Sequence, residues 1–117
     1  MNIQAHTIQG TKIAEVISDG LVIKTAEDGL NLLGDSYYQG FDKVILHRKN
    51  ITPDFFDLKN GMAGEVLQKF STYRVKLAIV GDFSDMASKS LHDFIRESNR
   101  AGHTTFAETL DEALKIA

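Results

Sequence analysis

Two short, unbroken runs of apolar residues constrain the fold of this chain more than any other feature. They occupy residues 44–46 and 77–80, and the second belongs to a strand predicted over residues 75–80. Both runs are too short for a buried helix. A strand that is apolar on both sides must be covered on both faces, as in a parallel sheet between layers of helices. The runs therefore predict an α/β fold, with the strand that leads into Gly81-Asp82-Phe83 near the centre of its sheet.

The remaining predicted strands complete this sheet. Asn2–Ile8 and residues 12–18 are predicted to pair in antiparallel fashion around a turn at residues 9–11, and residues 21–23 predict a further short strand. Thr104–Ala107 is predicted to be the last strand. Strands that alternate with helices require right-handed crossovers. The predicted fold is thus a mainly parallel four- to five-stranded sheet with an antiparallel edge and about four helices.

Helix starts are recognised by side chains that can accept hydrogen bonds from the amides of the first turn. Acidic residues follow several of them, where the helix dipole favours negative charge, and a proline follows one. The predicted caps are Thr25, Thr52, Ser84 or Asp85, and Thr109, the last with Glu112 in a capping box.

The inward faces and the ends of these helices follow from apolar spacing and from glycine positions. The first helix is predicted to end at residues 34–35 or at residues 37–40. In the second, Gly61 and Gly64 indicate either two short helices or a close approach of another backbone. The predicted buried stripes are Ala26, Leu30 and Leu33; Phe55, Leu58, Met62, Val66, Leu67 and Phe70; Ala87, Leu91, Phe94, Ile95 and Ser98; and Ala113 with Ile116.

Composition limits the classes of function that are open to the chain. Its 117 residues predict a single domain spanning residues 1–117, and its net charge of −3 argues against binding to nucleic acid or anionic lipid. The absence of cysteine excludes disulfides and thiolate chemistry. No segment has the pattern of a signal peptide or a membrane span, so a cytoplasmic location is expected.

Two segments carry a resemblance to a known family. The first holds Phe55-Phe56-Asp57-Leu58, Ala63-Gly64-Glu65 and Gln68-Lys69-Phe70; the second holds residues 76–83, Asp93-Phe94-Ile95, Glu97 and Asn99. Together they resemble an uncharacterised bacterial domain family without an assigned activity, so the resemblance implies no catalytic residues.

The order of the elements is also similar to the STAS fold of anti-sigma-factor antagonists. That resemblance implies a phosphorylatable segment at residues 50–53. Ile51-Thr52 stands there in place of the aspartate-serine pair usual in that family. The resemblance concerns the fold, and whether Thr52 is ever phosphorylated stays open.

The carboxyl ends of the parallel strands are the predicted place for a site. Three segments converge there, at residues 47–52, 81–84 and 108–109, and helix starts at Thr52 and Ser84 are expected to present free amides. The candidate residues of this cleft are Asp82, Asn50, Thr52, His47 and Ser84.

The chemistry of these candidates stays open between function and structure. Asp82 has the chemistry of a general base, a metal ligand or a recognition group, but a carboxylate that accepts hydrogen bonds from its own turn is the commoner arrangement. No two of the four histidines have metal-ligand spacing, and nucleotide-binding motifs are absent. We therefore assign no catalytic residue, metal or cofactor.

Three functions are compatible with this sequence. The first is a non-catalytic regulatory or protein-interaction module, and the second is a small enzyme or ligand-binding protein that uses the cleft. The third is a carrier of an apolar ligand beneath Phe55, Met62 and Phe70. The aromatic pairs Phe55-Phe56 and Tyr37-Tyr38 indicate either core packing or a homodimer surface.

Overall fold

A computed structural model of the chain describes residues 1–115. The predicted extension of the last helix to Ile116 lies outside the described residues. The strands form one sheet in the order β1-β2-β3-β4-β5, in which β1 is antiparallel to β2 and all the other neighbours are parallel. The elements are β1 Asn2–Ile8, β2 Thr11–Ile17, α1 Ala26–Tyr38, β3 Lys43–His47, α2 Met62–Tyr73, β4 Lys76–Val80, α3 Lys89–Ala101, β5 Thr104–Ala107 and α4 Leu110–Lys115, with 3-10 turns at Arg48–Asn50, Pro53–Phe56 and Leu58–Asn60.

Helices cover both faces of the sheet, as predicted, but unequally. One face packs on α1, α2 and α3, and we call it the helix-covered face. Its cluster of buried side chains includes Val44, Leu77, Val66 and Phe70. On the opposite face a smaller cluster gathers around Ala113 of α4. Because α4 has six residues, it packs mainly over β4 and β5.

A buried lysine joins α4 to the sheet. Lys43, at the start of β3, is 2% exposed, and its ammonium donates a 2.6 Å hydrogen bond to the carbonyl of Ala113. Burial lowers the pKa of Lys43, and the nearby charge of Lys76 lowers it further. This cation compensates one of the carbonyls that a helix end leaves without an intrahelical partner.

The first helix begins where its cap predicts and ends at the later of its two predicted stops. Thr25 and Asp28 form a capping box, and α1 continues through Gly34 to Tyr38. Its buried residues are Gly29, Leu32, Leu33 and Ser36. The predicted stripe was therefore correct at Leu33, whereas Ala26 and Leu30 are only partly buried.

We expect Gly29→Ala to destabilise the protein, although alanine normally favours a helix by about 1 kcal/mol over glycine. A Cβ on Gly29 would lie 2.8 Å and 2.9 Å from the two methyl carbons of Val66. Overpacking of this kind costs about 1–3 kcal/mol. Urea denaturation followed by circular dichroism measures the effect.

Gly34→Ala is the matched control in the same helix, because a Cβ on Gly34 would meet no atom within 4 Å. It is expected to stabilise the protein, whereas Gly29→Ala combined with Val66→Ala should recover part of the loss that the single Gly29→Ala causes. Equal effects of the two single substitutions would contradict the close packing of α1 on α2.

Three local predictions were wrong. Residues 21–23 form no strand of the sheet and contribute only a bridge between Ile23 and Ile51. The proline after Thr52 begins a four-residue 3-10 turn, and α2 starts only after Gly61, whose φ of 79° is left-handed. The next helix is capped by Ser88, not by Ser84 or Asp85. Before this helix, contacts with distant residues hold residues 82–86 in turns.

Packing decides the glycine alternative and places the pair Phe55-Phe56 in the core. A Cβ at Gly64 would meet nothing within 4 Å, so the interruption marks short turns followed by a helix and not a close backbone. Phe55 and Phe56 are both buried, whereas Tyr37 and Tyr38 are 54% and 91% exposed.

Candidate functional site

Two grooves flank the exit of β4 at the carboxyl edge of the sheet. The β3–β4 groove has a volume of about 670 Å³, and its walls are formed by Leu21, His47, Arg48, Lys49, Ile51, Pro53, Phe56, Val80, Gly81, Asp82 and Met86. The β4–β5 groove has a volume of about 590 Å³ and is lined on its polar side by Asp82, Ser84, His92, Asn99, Glu108 and Glu112. Asp82 therefore stands on the ridge between them.

Asp82 is exposed, and its carboxylate stabilises its own turn. One carboxylate oxygen accepts a 2.9 Å hydrogen bond from the backbone amide of Ser84. That hydrogen bond holds the pKa of Asp82 below its ordinary value. A carboxylate with a lowered pKa is a weaker base, so the geometry favours a structural or recognition role over proton abstraction.

Arg48 lines the β3–β4 groove, although it is not among the candidate residues predicted from the sequence. Its guanidinium donates to the backbone carbonyl of Asp82 and forms a 2.8 Å ion pair with Asp85. It also lies 4.9 Å from the ring centre of Phe83. The hydrogen bond from Arg48 lowers the pKa of Asp85. A cation that directly follows a buried strand was the available sequence clue.

Gly81 is required by this same arginine. A Cβ at Gly81 would lie 2.7 Å from the Cβ of Arg48, a distance at which one backbone must move. Glycine at this position therefore allows the segment after β3 to approach the segment after β4 closely.

Asn50 and Thr52 do not line either groove, since both are used to build the loop beneath. The Asn50 side chain is fully buried and donates 2.8 Å hydrogen bonds to the carbonyls of Ser18 and Gly20. The Thr52 hydroxyl accepts from the amide of Asp54, and the Thr52 amide donates to the carbonyl of Ile23. Together they fasten the segment between β2 and α1 against the end of β3.

His47 turns toward a carboxylate on the neighbouring strand. Glu15 is 5% exposed, and its two oxygens lie 2.7 Å from Nε2 of His47 and 2.8 Å from Nε2 of His6. Burial raises the pKa of Glu15, but the hydrogen bonds from His47 and then His6 outweigh it, and the pKa is lowered. No local sequence pattern indicated this cluster, because strand pairing brings its members together across nine and 32 residues.

We expect acidic pH to lower the free energy of unfolding, in part through protonation of Glu15. A carboxyl whose folded pKa is lowered stabilises the fold above its unfolded pKa of about 4.3, and this stabilisation is lost as the pH falls through the folded value. Urea denaturation of the wild type and Glu15→Gln between pH 6 and pH 3 measures the difference. The two curves should converge toward the acid end, and a gap that stays constant with pH would contradict this role.

The structure thus brings together only some of the predicted site residues. His47 and Asp82 line the β3–β4 groove, while Asp82, Ser84 and Glu108 line the β4–β5 groove. The predicted helix start at Ser84 is absent, so no helical amides point from it into the cleft. Among residues 1–115, no group of three or more histidine, aspartate or glutamate side chains is arranged to hold a metal ion.

The chain belongs to the DUF4180 family, a domain of unknown function whose family model matches residues 8–116. No protein with a curated description matches it in sequence. A solved structure from Thermotoga maritima, provisionally assigned as an anti-sigma factor antagonist, is similar at 12% identity with a TM-score of 0.49, over 97% of this chain and 92% of that one. Among the described helices, none is long and apolar enough to cross a membrane.

Proposed function

We propose that the protein is a non-catalytic regulatory module that binds a partner protein through the β3–β4 groove. One observation carries the proposal: the polar candidates around the groove have their hydrogen-bonding groups engaged within the chain, while the surface left open to a ligand is apolar. Asp82, Arg48 and His47 are held by Ser84, Asp85 and Glu15 respectively. Reactive groups that are held in this way favour a binding surface over an assembled catalytic set.

The partner that fits this groove presents an apolar anchor. Leu21 is 45% exposed on one side, and Phe56 and Met86 form the other walls with Pro53. Methionine adapts its shape to a bound side chain, and an apolar pocket of this kind is a usual seat for an interface hot spot. Exposed Lys49 at the groove adds a preference for an acidic residue beside that anchor.

Affinity capture from an extract of the source cells, followed by reconstitution with the purified partner, tests the proposal. Leu21→Asp should abolish retention because it places a charge in the apolar wall. Tyr38→Asp should leave retention of the partner unchanged. It adds the same charge and also removes a large exposed side chain, but Tyr38 lies on α1, outside the groove. The groove is not the docking site if both variants retain the partner equally. The same conclusion follows if the purified components do not bind each other.

A small-molecule function for the same groove is favoured by its size. Its volume of about 670 Å³ falls within the range of about 300–1,000 Å³ that is usual for ligand pockets. A thermal-shift screen over metabolites and metals tests this alternative. Stabilisation that Leu21→Asp removes would support a ligand, and Asp82→Ala would show whether the carboxylate recognises it or only stabilises the turn.

The apolar-carrier hypothesis has less support from packing. Phe55 and Phe70 are 3% and 0% exposed and form part of the main core, with Met62 packed against it. A ligand beneath them would have to displace core side chains.

A further inference from the structure

The outer edge of β1 lacks the features by which proteins usually block an exposed strand. Asn2–Ile8 contains no proline, aspartate, glutamate, lysine or arginine, although charged residues make up 25% of the chain. Its register with β2 is continuous, without a bulge. Native sheets commonly protect their edge strands with charges, prolines or bulges, so an unprotected edge of seven residues is ready to pair with another strand.

The direction of the backbone groups in β1 follows from its partner strand. The amide of Lys12 donates to the Asp42 carboxylate, and the carbonyl of Lys12 accepts from the Asp42 amide. Lys12 therefore directs both backbone groups toward β3. Its partner Thr7 is then in a non-hydrogen-bonded pair with β2 and directs its own groups to the free edge. By the two-residue period of a strand, Ala5 and Ile3 do the same.

We infer that this edge pairs with β1 of a second copy of the chain, antiparallel and with its two-fold axis at Ala5. This register pairs Ala5 with Ala5 of the partner subunit and Ile3 with Thr7 of the partner subunit. Those are the residues whose amides and carbonyls face outward, and each pair exchanges two hydrogen bonds. The pairing uses the whole strand and joins the two sheets into one continuous sheet.

Charge and exposure favour a second copy as the occupant. Two identical strands that pair around a two-fold axis place like residues near each other, so any charge at the centre would face its own copy. The uncharged β1 avoids this cost. Ile3 and Ile8 of β1 are 37% and 40% exposed and would lie within the joint. The area buried by one strand pair is small, so the dimer is expected at micromolar affinity or weaker.

Sedimentation velocity from low micromolar to several hundred micromolar protein tests the inference. The wild type should shift from monomer to dimer across this range. Ala5→Pro removes an outward-facing amide without breaking the ladder to β2, and the loss of both central hydrogen bonds should weaken the dimer about thirtyfold. Thermal melts by circular dichroism verify that the variant is folded.

Charge exchange at Ala5 tests the register. Ala5→Lys and Ala5→Glu should each weaken self-association about fivefold or more, whereas an equimolar mixture should form a heterodimer. Thr7→Lys places its charge opposite Ile3 of the partner subunit and should have a smaller effect. The inference fails if the wild type is monomeric throughout, if the mixture does not associate, or if dimerisation responds only to Tyr38→Ala on α1. Leu21 lies between β2 and α1 and lines the β3–β4 groove, so it is not part of the pairing strand and Leu21→Asp should leave dimerisation intact.

Discussion

Phe70→Ala is expected to lower the free energy of unfolding by about 3–5 kcal/mol, as is usual for removing a buried aromatic ring. Phe70 is 0% exposed and lies on α2 within the main core, against the helix-covered face of the sheet. The substitution removes apolar contacts and leaves a cavity that neighbouring residues can fill only in part. Since domains of this size are stable by about 5–15 kcal/mol, the variant should retain little reserve.

Urea denaturation at neutral pH, followed by far-ultraviolet circular dichroism, measures this loss. Tyr73→Ala is the matched control on the same helix, because Tyr73 is 45% exposed and its ring contacts that of Tyr37, with ring centres 5.1 Å apart. It should cost about 1 kcal/mol or less. If Phe70→Ala lowered the free energy of unfolding no more than Tyr73→Ala does, Phe70 would not be part of the main core.

Asn50→Asp is expected to lower the free energy of unfolding by about 3 kcal/mol or more at neutral pH. The amide nitrogen of Asn50 donates to two backbone carbonyls from a fully buried position. Aspartate replaces this donor with a second acceptor, so a buried negative charge would face the carbonyl oxygens of Ser18 and Gly20. The segment between β2 and α1 would then lose its attachment to the end of β3.

Asn31→Asp is the control for the change in charge, because Asn31 is exposed on α1. It should change stability by no more than about 0.5 kcal/mol. Urea denaturation compares the two variants. If Asn50→Asp were fully stable but failed to bind a partner, Asn50 would belong to the binding surface and not to the loop that supports it.

Local patterns predicted those parts of the fold that depend on neighbouring residues. The caps at Thr25 and Thr109 were recognisable because their hydrogen bonds join residues only a few positions apart. The apolar runs of β3 and β4 predicted two buried strands for a similar reason, since burial on both faces acts on every residue of a short strand.

The helix starts after β3 and β4 could not be predicted in the same way. At residues 82–86, the local pattern fitted a cap at Ser84 or Asp85, but Arg48 reaches across 34 residues to the carbonyl of Asp82 and pairs with Asp85. A hydrogen bond to a distant group outweighed the modest local preference for a helix start.

The candidate site shows the same division. The sequence by itself determined the α/β layers, the parallel strands and the polar segments that follow these strands at the carboxyl edge of the sheet. Hydrophobic periodicity and capping are properties of neighbouring residues, so they can be recognised in the sequence. Only the tertiary structure decided that Asn50 fastens a loop, that His47 shares Glu15 with His6, and that Arg48 requires a glycine at position 81. The physical reason is that a polar side chain takes its role from the partner that it meets, and strand pairing brings these partners together from distant parts of the chain.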